Sequence, residues 1–361
     1  MPKVTFNNKN AFFFQSVKAE VESYFKENNL KKTGNTRLYI KTAVLIPGAL
    51  AMYVILLTGV LPALPAILLS AFLGFILSCI GFNVMHDACH GSYSRKPWVN
   101  EVLGLTLNAL GSNAFLWKQK HNVIHHTYTN VDGVDDDIAK SPVIRQCSTQ
   151  RWVPMHRVQH LYLPLVYGIS SILWIFLTDF IKYLSRKVYK TPLQPMKMND
   201  HIIFWASKVL YVVFYVVIPI LCVGAQAWLV GFLAMHFVMG FTLAIVFQLA
   251  HVVEETEFET VSVEDKVIEN EWAIHQIKTT ANFSAGNKVT SWFVGGLNYQ
   301  IEHHLFPRIS HVHYPAISKI VAAKCAEFGL PYHSMPTMME AVRSHFRLMK
   351  ALGRKPMPAF A

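Results

Sequence analysis

Three short stretches of the chain are crowded with histidine at spacings that a metal ion can use. The first is His86-Asp-Ala-Cys-His90, the second His121-Asn-Val-Ile-His125-His126, and the third Gln300-Ile-Glu-His303-His304. In the first two, the i,i+4 pairs predict two imidazoles stacked one turn apart on one helix face, with His126 turned about 100° away from His125. In the third, Gln300 stands three and four residues before the two histidines, so that on a helix all three converge. Neutral imidazole is the commonest protein ligand for transition metals. One HxxxH alone is more often an accidental or surface pair than a site. Three such groups carry seven histidines, more than one ion coordinates, so two ions are the economical expectation. Thiolate ligation is excluded: the five cysteines include no CxxC pair and form no disulfide framework.

Helices must deliver these groups to one place, and the hydropathy pattern supplies them. Four apolar stretches, 42–60, 64–85, 203–222 and 227–250, contain 19 to 24 residues each. At about 1.5 Å per residue each is long enough to cross a hydrocarbon core of about 30 Å. The links Leu61–Ala63 and Val223–Gln226 are so short that the stretches form two tight hairpins. Apart from Lys208, every Lys and Arg lies outside the four stretches, and neither link carries one. The bias of positive charge toward the cytosol therefore points both hairpin tips away from it and leaves both termini inside. All three histidine groups then emerge on the cytosolic side. His251 closes the last stretch at the depth of His86 and is expected as an eighth ligand.

The expected fold is thus an all-α integral membrane protein: four transmembrane helices in two hairpins, with a helical cytosolic cap holding the metals. Residues 1–41 read as a cytosolic N-terminal segment with no signal peptide, and residues 42–361 as one unit. A fifth apolar stretch, 161–181, is expected to lie along the cytosolic membrane surface. It carries Pro164 and Asp179 and is flanked by basic residues on both sides. A crossing there would put His303 and His304 on the opposite side from His86 and His121. Acidic residues beside the clusters, among them Asp87, Asp132, Asp135, Asp136, Asp137, Glu254, Glu255 and Glu302, offer carboxylates to orient metal-bound imidazoles. Asp87, Glu302 and His275 are expected just outside the ligands. His236, inside the last stretch, is equally well read as a packing residue or a functional one.

The segments HDACH (86–90), WKQKHNVIHHTYTN (117–130) and NYQIEHHLFP (298–307) resemble the three histidine boxes of the membrane fatty acid desaturase superfamily, in order and spacing, with the hairpins matching over nearly the whole chain. The resemblance implies an O₂-dependent fatty acyl desaturase with a diiron centre held by His86, His90, His121, His125, His126, His251, His303 and His304, with Gln300 also expected among the metal-binding residues. Gln300, where other members have histidine, is similar to the front-end type, which desaturates between an existing double bond and the carboxyl end. Iron rather than zinc follows from the chemistry, since unactivated methylenes require a redox metal and zinc has none. Two departures stand out. Phe247 occupies the position of an Asn that holds a metal-bound water in acyl-CoA relatives. No HPGG haem motif occurs, so electrons are expected from a separate ferredoxin or cytochrome b5-type donor.

The substrate is expected to be a fatty acyl chain on CoA, on a carrier or in a lipid, with Trp117, Trp272 and Trp292 as candidate lining of its path. The net charge of +11 flanks apolar stretches and fits anionic membrane lipid rather than nucleic acid. A bacterial cytoplasmic membrane is favoured over the endoplasmic reticulum. The rival within the same superfamily is an acyl or hydrocarbon hydroxylase or ketolase, which would share the ligands. The rival from another class is a metal transporter, which would place its ligands near the bilayer midplane rather than at one face.

Overall fold

The computed structural model describes residues 4–8, 11–139, 142–260 and 267–355. Parts of the expected units 1–41 and 42–361, including the first three and last six residues, lie outside these. Among the described residues five helices are long and apolar enough to cross a membrane: Thr36–Leu57, Ala63–Cys89, Pro154–Ser185, Met198–Val223 and Ala225–His251. Three of them contain the expected stretches 64–85, 203–222 and 227–250, and Thr36–Leu57 covers 42–57 of the stretch 42–60. The first begins earlier than hydropathy indicates because Asn35 caps it, its Oδ1 accepting from Arg37 N at 3.0 Å. At the second hairpin tip Gly224 takes φ +80°, a conformation that glycine adopts without steric cost.

The stretch 161–181 is the middle of one continuous helix, Pro154–Ser185, of 32 residues. Pro154 starts it at a position where no backbone donor is needed. Arg186, at φ +53°, ends it. By length and composition alone this is a fifth candidate span, so helix length does not separate four crossings from five.

Two close contacts set the arrangement of the long helices. A Cβ on Gly74 would lie 2.0 Å from the Met235 carbonyl oxygen, so Ala63–Cys89 and Ala225–His251 touch backbone to backbone. These two helices run side by side, and both deliver their C-terminal ends, with His86, His90 and His251, to the same place. On the other side of Ala225–His251, a Cβ on Gly240 would lie 2.7 Å from the Gly168 carbonyl oxygen, which seats Pro154–Ser185 against it.

The cap has its own core. The helices Phe12–Glu27, Trp272–Thr279, Gln300–Leu305 and Tyr314–Glu327 bury Phe13, Val17, Ile277, Ile301, Ile317 and Val321 together. Each such side chain contributes roughly 1.5–3 kcal/mol by leaving water. The N-terminal helix is therefore part of the cap. Short parallel strand pairs, which the all-helical expectation omitted, fasten its loops: Thr5–Phe6 with Val267–Ile268, Val131–Asp132 with Glu259–Thr260, and Asn282–Phe283 with Ser334–Met335.

Candidate metal centre

The first histidine pair leaves the membrane end of Ala63–Cys89 just after a π-helical turn, Gly81–Met85. The second group lies on another π-helical turn, Gln119–His125. Such turns close i→i+5 hydrogen bonds and are frequent at functional sites. An α-helix would set His121 over His125, and those rings do stack, with centroids 5.3 Å apart. The wider turn adds a second meeting, bringing His121 Nε2 to 3.3 Å from His126 Nε2. His125 joins a different set, with ring centroids 4.7 Å from His251 and 5.0 Å from His304.

The result is two neighbouring groups of buried imidazoles. His86, His90, His121 and His303 each offer a nitrogen within 4.8 Å of the others, and so do His125, His251 and His304. His126 stands between, grouped with His303 and His304 on the same criterion. All eight are buried. The Nε2 atoms of His90, His125, His251, His303 and His304 are enclosed and have no hydrogen-bond partner, and two further Nε2–Nε2 contacts, His86–His121 and His121–His126, are 3.3 Å. Buried polar atoms are rarely left unpaired. Lone pairs aimed at one another from seven or eight rings fit cations at the two foci and little else. Burial first, then the neighbouring imidazoles, holds His90, His121, His126, His303 and His304 well below the usual histidine range. They are therefore neutral at pH 7, the protonation state a metal requires.

The outward nitrogens are held by the cap. His125 Nδ1 lies 3.1 Å from Asp135 Oδ2, His303 Nδ1 3.1 Å from the Tyr314 hydroxyl, and His304 Nδ1 2.8 Å from Gln276 Oε1. His251 Nδ1 faces the Thr279 carbonyl at 3.5 Å. The carboxylate, amide oxygen and carbonyl fix Nδ1 of His125, His304 and His251 as the donor and turn Nε2 inward. Gln276, Tyr314 and Thr279 escaped the sequence reading. They lie far from the boxes in the chain, and only the adjacency of Gln276 to His275 hinted at one of them.

The remaining expected residues are placed as follows. Gln300 is buried, and its Oε1 has no partner. Asp87 accepts from Ser310 Oγ at 2.6 Å and lies 3.0 Å from His311 Nδ1, tying the loop after the third box to the first. Glu302 accepts from Asn282 and Tyr332 at 2.9 and 2.8 Å, and burial pushes its carboxyl up to about 7. His275 reaches the Thr129 carbonyl at 2.9 Å, and Thr129 in turn contacts His304 Nδ1 at 3.2 Å. Phe247 packs its ring on His125 and His251, at centroid distances of 5.0 and 4.8 Å. His236 bonds Ser171 and the Tyr211 hydroxyl within the helix bundle, at 3.0 and 2.7 Å, away from the cluster. Trp117 stacks on His121 with centroids 4.2 Å apart. Trp272 donates to the His126 carbonyl at 3.1 Å, while Trp292 lies 5.9 Å from the Lys41 ammonium.

Comparison with known proteins finds the family model "Fatty acid desaturase" matching residues 58–336. An "Acyl-lipid (8-3)-desaturase" of Physcomitrium patens is 36% identical over 96% of this chain and 72% of its own length. An "sn-1 linoleoyl-lipid 6-desaturase" of Synechocystis sp. is 34% identical over 98% of both chains. One of the same name from Arthrospira platensis is 34% identical over 98% of this chain and 96% of its own.

Proposed function

The chain belongs to the fatty acid desaturase family and is a membrane-embedded fatty acyl desaturase; from that premise we propose that it is a diiron, O₂-dependent enzyme of the front-end type acting on lipid-linked acyl chains. The carrying observation is the paired histidine cluster. Five enclosed Nε2 atoms have no partner, and two groups of nitrogens lie within 4.8 Å. His86, His90, His121 and His303 hold one iron, His125, His251 and His304 the other, and His126 stands between them. Gln300, on the same short helix as His303 and His304, has an uncommitted oxygen. Bound iron supplies the redox power over O₂ that removes hydrogen from an unactivated methylene, which no side chain has.

The protein's own tasks are to hold the ions, aim one carbon–carbon bond at them, and keep water and stray reductant away. Phe247 takes part in the last. At the Asn position of acyl-CoA relatives, it lays an apolar ring against His125 and His251 and leaves no side-chain oxygen for a water there. The front-end, acyl-lipid assignment rests on Gln300 and on the names of the relatives at 34–36% identity. The electron donor in this reading is a ferredoxin or cytochrome b5-type protein.

The membrane arrangement we propose is four crossings, with both termini cytosolic and Pro154–Ser185 lying along the cytosolic face. Both ends of that helix are tied to one short segment of the cap. Near its start, the Tyr162 hydroxyl donates to the Val143 carbonyl at 2.6 Å, and Gln159 Nε2 donates to the Arg145 carbonyl at 3.0 Å. Near its end, Lys182 pairs with Asp136 at 2.8 Å. Asp136 and Val143 are at most about 25 Å apart along the chain, and Asp136 neighbours the Asp135 that holds His125. A helix with both ends on the histidine side fits an in-plane position. Its exposed Leu161, Leu165, Ile181 and Leu184 suit a bilayer surface. The near full-length matches to proteins of Synechocystis and Arthrospira support a bacterial membrane.

The test is expression in a host of known lipid composition, followed by gas chromatography and mass spectrometry of fatty acid methyl esters. A new ester lacking two hydrogens, with its double bond on the carboxyl side of an existing one, is expected. An ester gaining one oxygen instead would make the chain a hydroxylase.

A further inference from the structure

The two groups of histidines are built differently, and the difference lies on the side of the rings that faces away from the metals. In the group His125, His251 and His304, all three Nδ1 atoms have a protein partner: Asp135, the Thr279 carbonyl and Gln276. In the group His86, His90, His121 and His303, among the described residues only His303 has one, the Tyr314 hydroxyl. Among the described residues the carboxylates within 4 Å of any cluster nitrogen are Asp135 and Asp137, both on His125, at 3.1 and 3.7 Å.

Asp135 is itself immobilised. Its Oδ2 accepts from Asn130 N at 3.0 Å and its Oδ1 from Asp137 N at 3.0 Å, so two backbone amides aim the carboxylate at His125. Gln276 is likewise fixed, its Oε1 accepting from Thr129 Oγ1 at 2.9 Å. A carboxylate behind an imidazole raises the basicity of the ligating nitrogen, and removal of such an outer partner typically costs 10–100-fold in metal affinity. Enclosure follows the same division. His125, His251 and His304 are 1%, 1% and 0% exposed, whereas His86, His90 and His121 are 6%, 9% and 7% exposed; His303, the one ring of this group with an Nδ1 partner among the described residues, is 1% exposed.

We propose that the two metal positions are unequal: the ion at His125, His251 and His304 is retained, the ion at His86, His90, His121 and His303 exchanges with solution, and Asp135 is the positioning residue that sets the difference. This rests on the two-metal reading above. The sealed, carboxylate-backed group fills first and empties last. The more open group, whose rings are held mainly by their own helices, loses its ion first.

The experiment uses the full chain in lipid nanodiscs, loaded anaerobically with Fe(II) and challenged with excess ferrozine. Chelated iron is followed by absorbance, and residual iron is counted by mass spectrometry. Wild type is expected to release one ion quickly and the second at least tenfold more slowly. Asp135→Asn should speed the slow phase 10–100-fold and leave the fast phase unchanged, while Tyr314→Phe, which touches only His303, should speed the fast phase alone. Size-exclusion profiles and Asp135→Glu, expected to restore part of the slow phase, separate this effect from misfolding. Release of both ions in one phase from wild type, or acceleration of the fast phase by Asp135→Asn, overturns the proposal. A fully loaded chain that binds fewer than two ions overturns the two-metal reading itself, and the ordered loss with it.

Discussion

Replacing Lys208 by Met should destabilise the protein more than replacing Lys208 and Asp179 together. Lys208 is the single basic residue inside the expected spans, and its ammonium donates to Asp179 Oδ2 at 2.8 Å, the Gly111 carbonyl at 2.7 Å and the Ile175 carbonyl at 2.9 Å. It thus joins three elements: Met198–Val223, Pro154–Ser185 and the loop before the second histidine group. The pair is enclosed, with side chains 7% and 1% exposed. In Lys208→Met the Asp179 carboxylate would keep only two neutral donors, Ser112 Oγ at 3.0 Å and Trp174 Nε1 at 3.1 Å. An uncompensated buried charge costs about 3–5 kcal/mol. Both variants lose the donor to the Gly111 and Ile175 carbonyls. Lys208→Met with Asp179→Leu removes both charges and also frees Ser112 and Trp174, four neutral hydrogen bonds in all at about 1 kcal/mol each, so about 4 kcal/mol against about 5–7 kcal/mol for the single variant. Thermal unfolding in one detergent should therefore rank wild type first, the double variant second and Lys208→Met last. Activity should follow, because Trp174 packs in the cluster that holds Trp117 against His121. A single variant as stable as wild type, or a double variant less stable than the single, would refute the reasoning.

Gln300→Glu places a carboxylate at a buried, uncommitted amide oxygen on the helix that carries His303 and His304; desaturation should fall at least about tenfold, the scale of effects on outer metal contacts, with product yield in a lipid-defined host as the readout. His345 is buried between the Tyr167 hydroxyl and the Val252 carbonyl, at 2.9 and 2.6 Å, and burial lowers its pKa to about 4. As pH falls, the unfolded chain takes up this proton first. The stability His345 contributes is therefore present above its ordinary value of 6.5 and lost from there down toward about 4. The loss amounts to roughly 3 kcal/mol, and His345→Gln should flatten that part of the stability–pH curve. Cysteines introduced as Thr149→Cys and Ser185→Cys should react with a membrane-impermeant maleimide from the same side; labelling from opposite sides would make Pro154–Ser185 a crossing.

The clustered histidines were legible because metal chemistry demands many imidazoles close together, and helices supply them at short spacings. The grouping was not. Sequence periodicity stacks His121 on His125, as the structure does, but it assumes 3.6 residues per turn and so misses that the π turn Gln119–His125 also brings His121 to His126. The orienting partners Gln276 and Tyr314 were invisible for another reason: each meets its histidine only through the fold of the cap, and neither Gln nor Tyr is a metal ligand by habit. Four apolar stretches were found with ends displaced by a few residues, since caps such as Asn35, not hydropathy, decide where a helix starts. Hydropathy also underestimated Pro154–Ser185, because Pro154 and the polar turn after it extend the helix beyond its apolar middle.

The central claim, a histidine-held pair of irons, is tested most directly by loading the purified chain with ⁵⁷Fe and recording metal content and Mössbauer spectra before and after reaction with O₂. The account predicts two irons per chain in nitrogen-rich coordination that oxidise together as a coupled pair, with both signals diminished in His126→Ala, whose ring stands between the two groups. One iron per chain, two irons that oxidise independently, or full activity with no iron bound would contradict it.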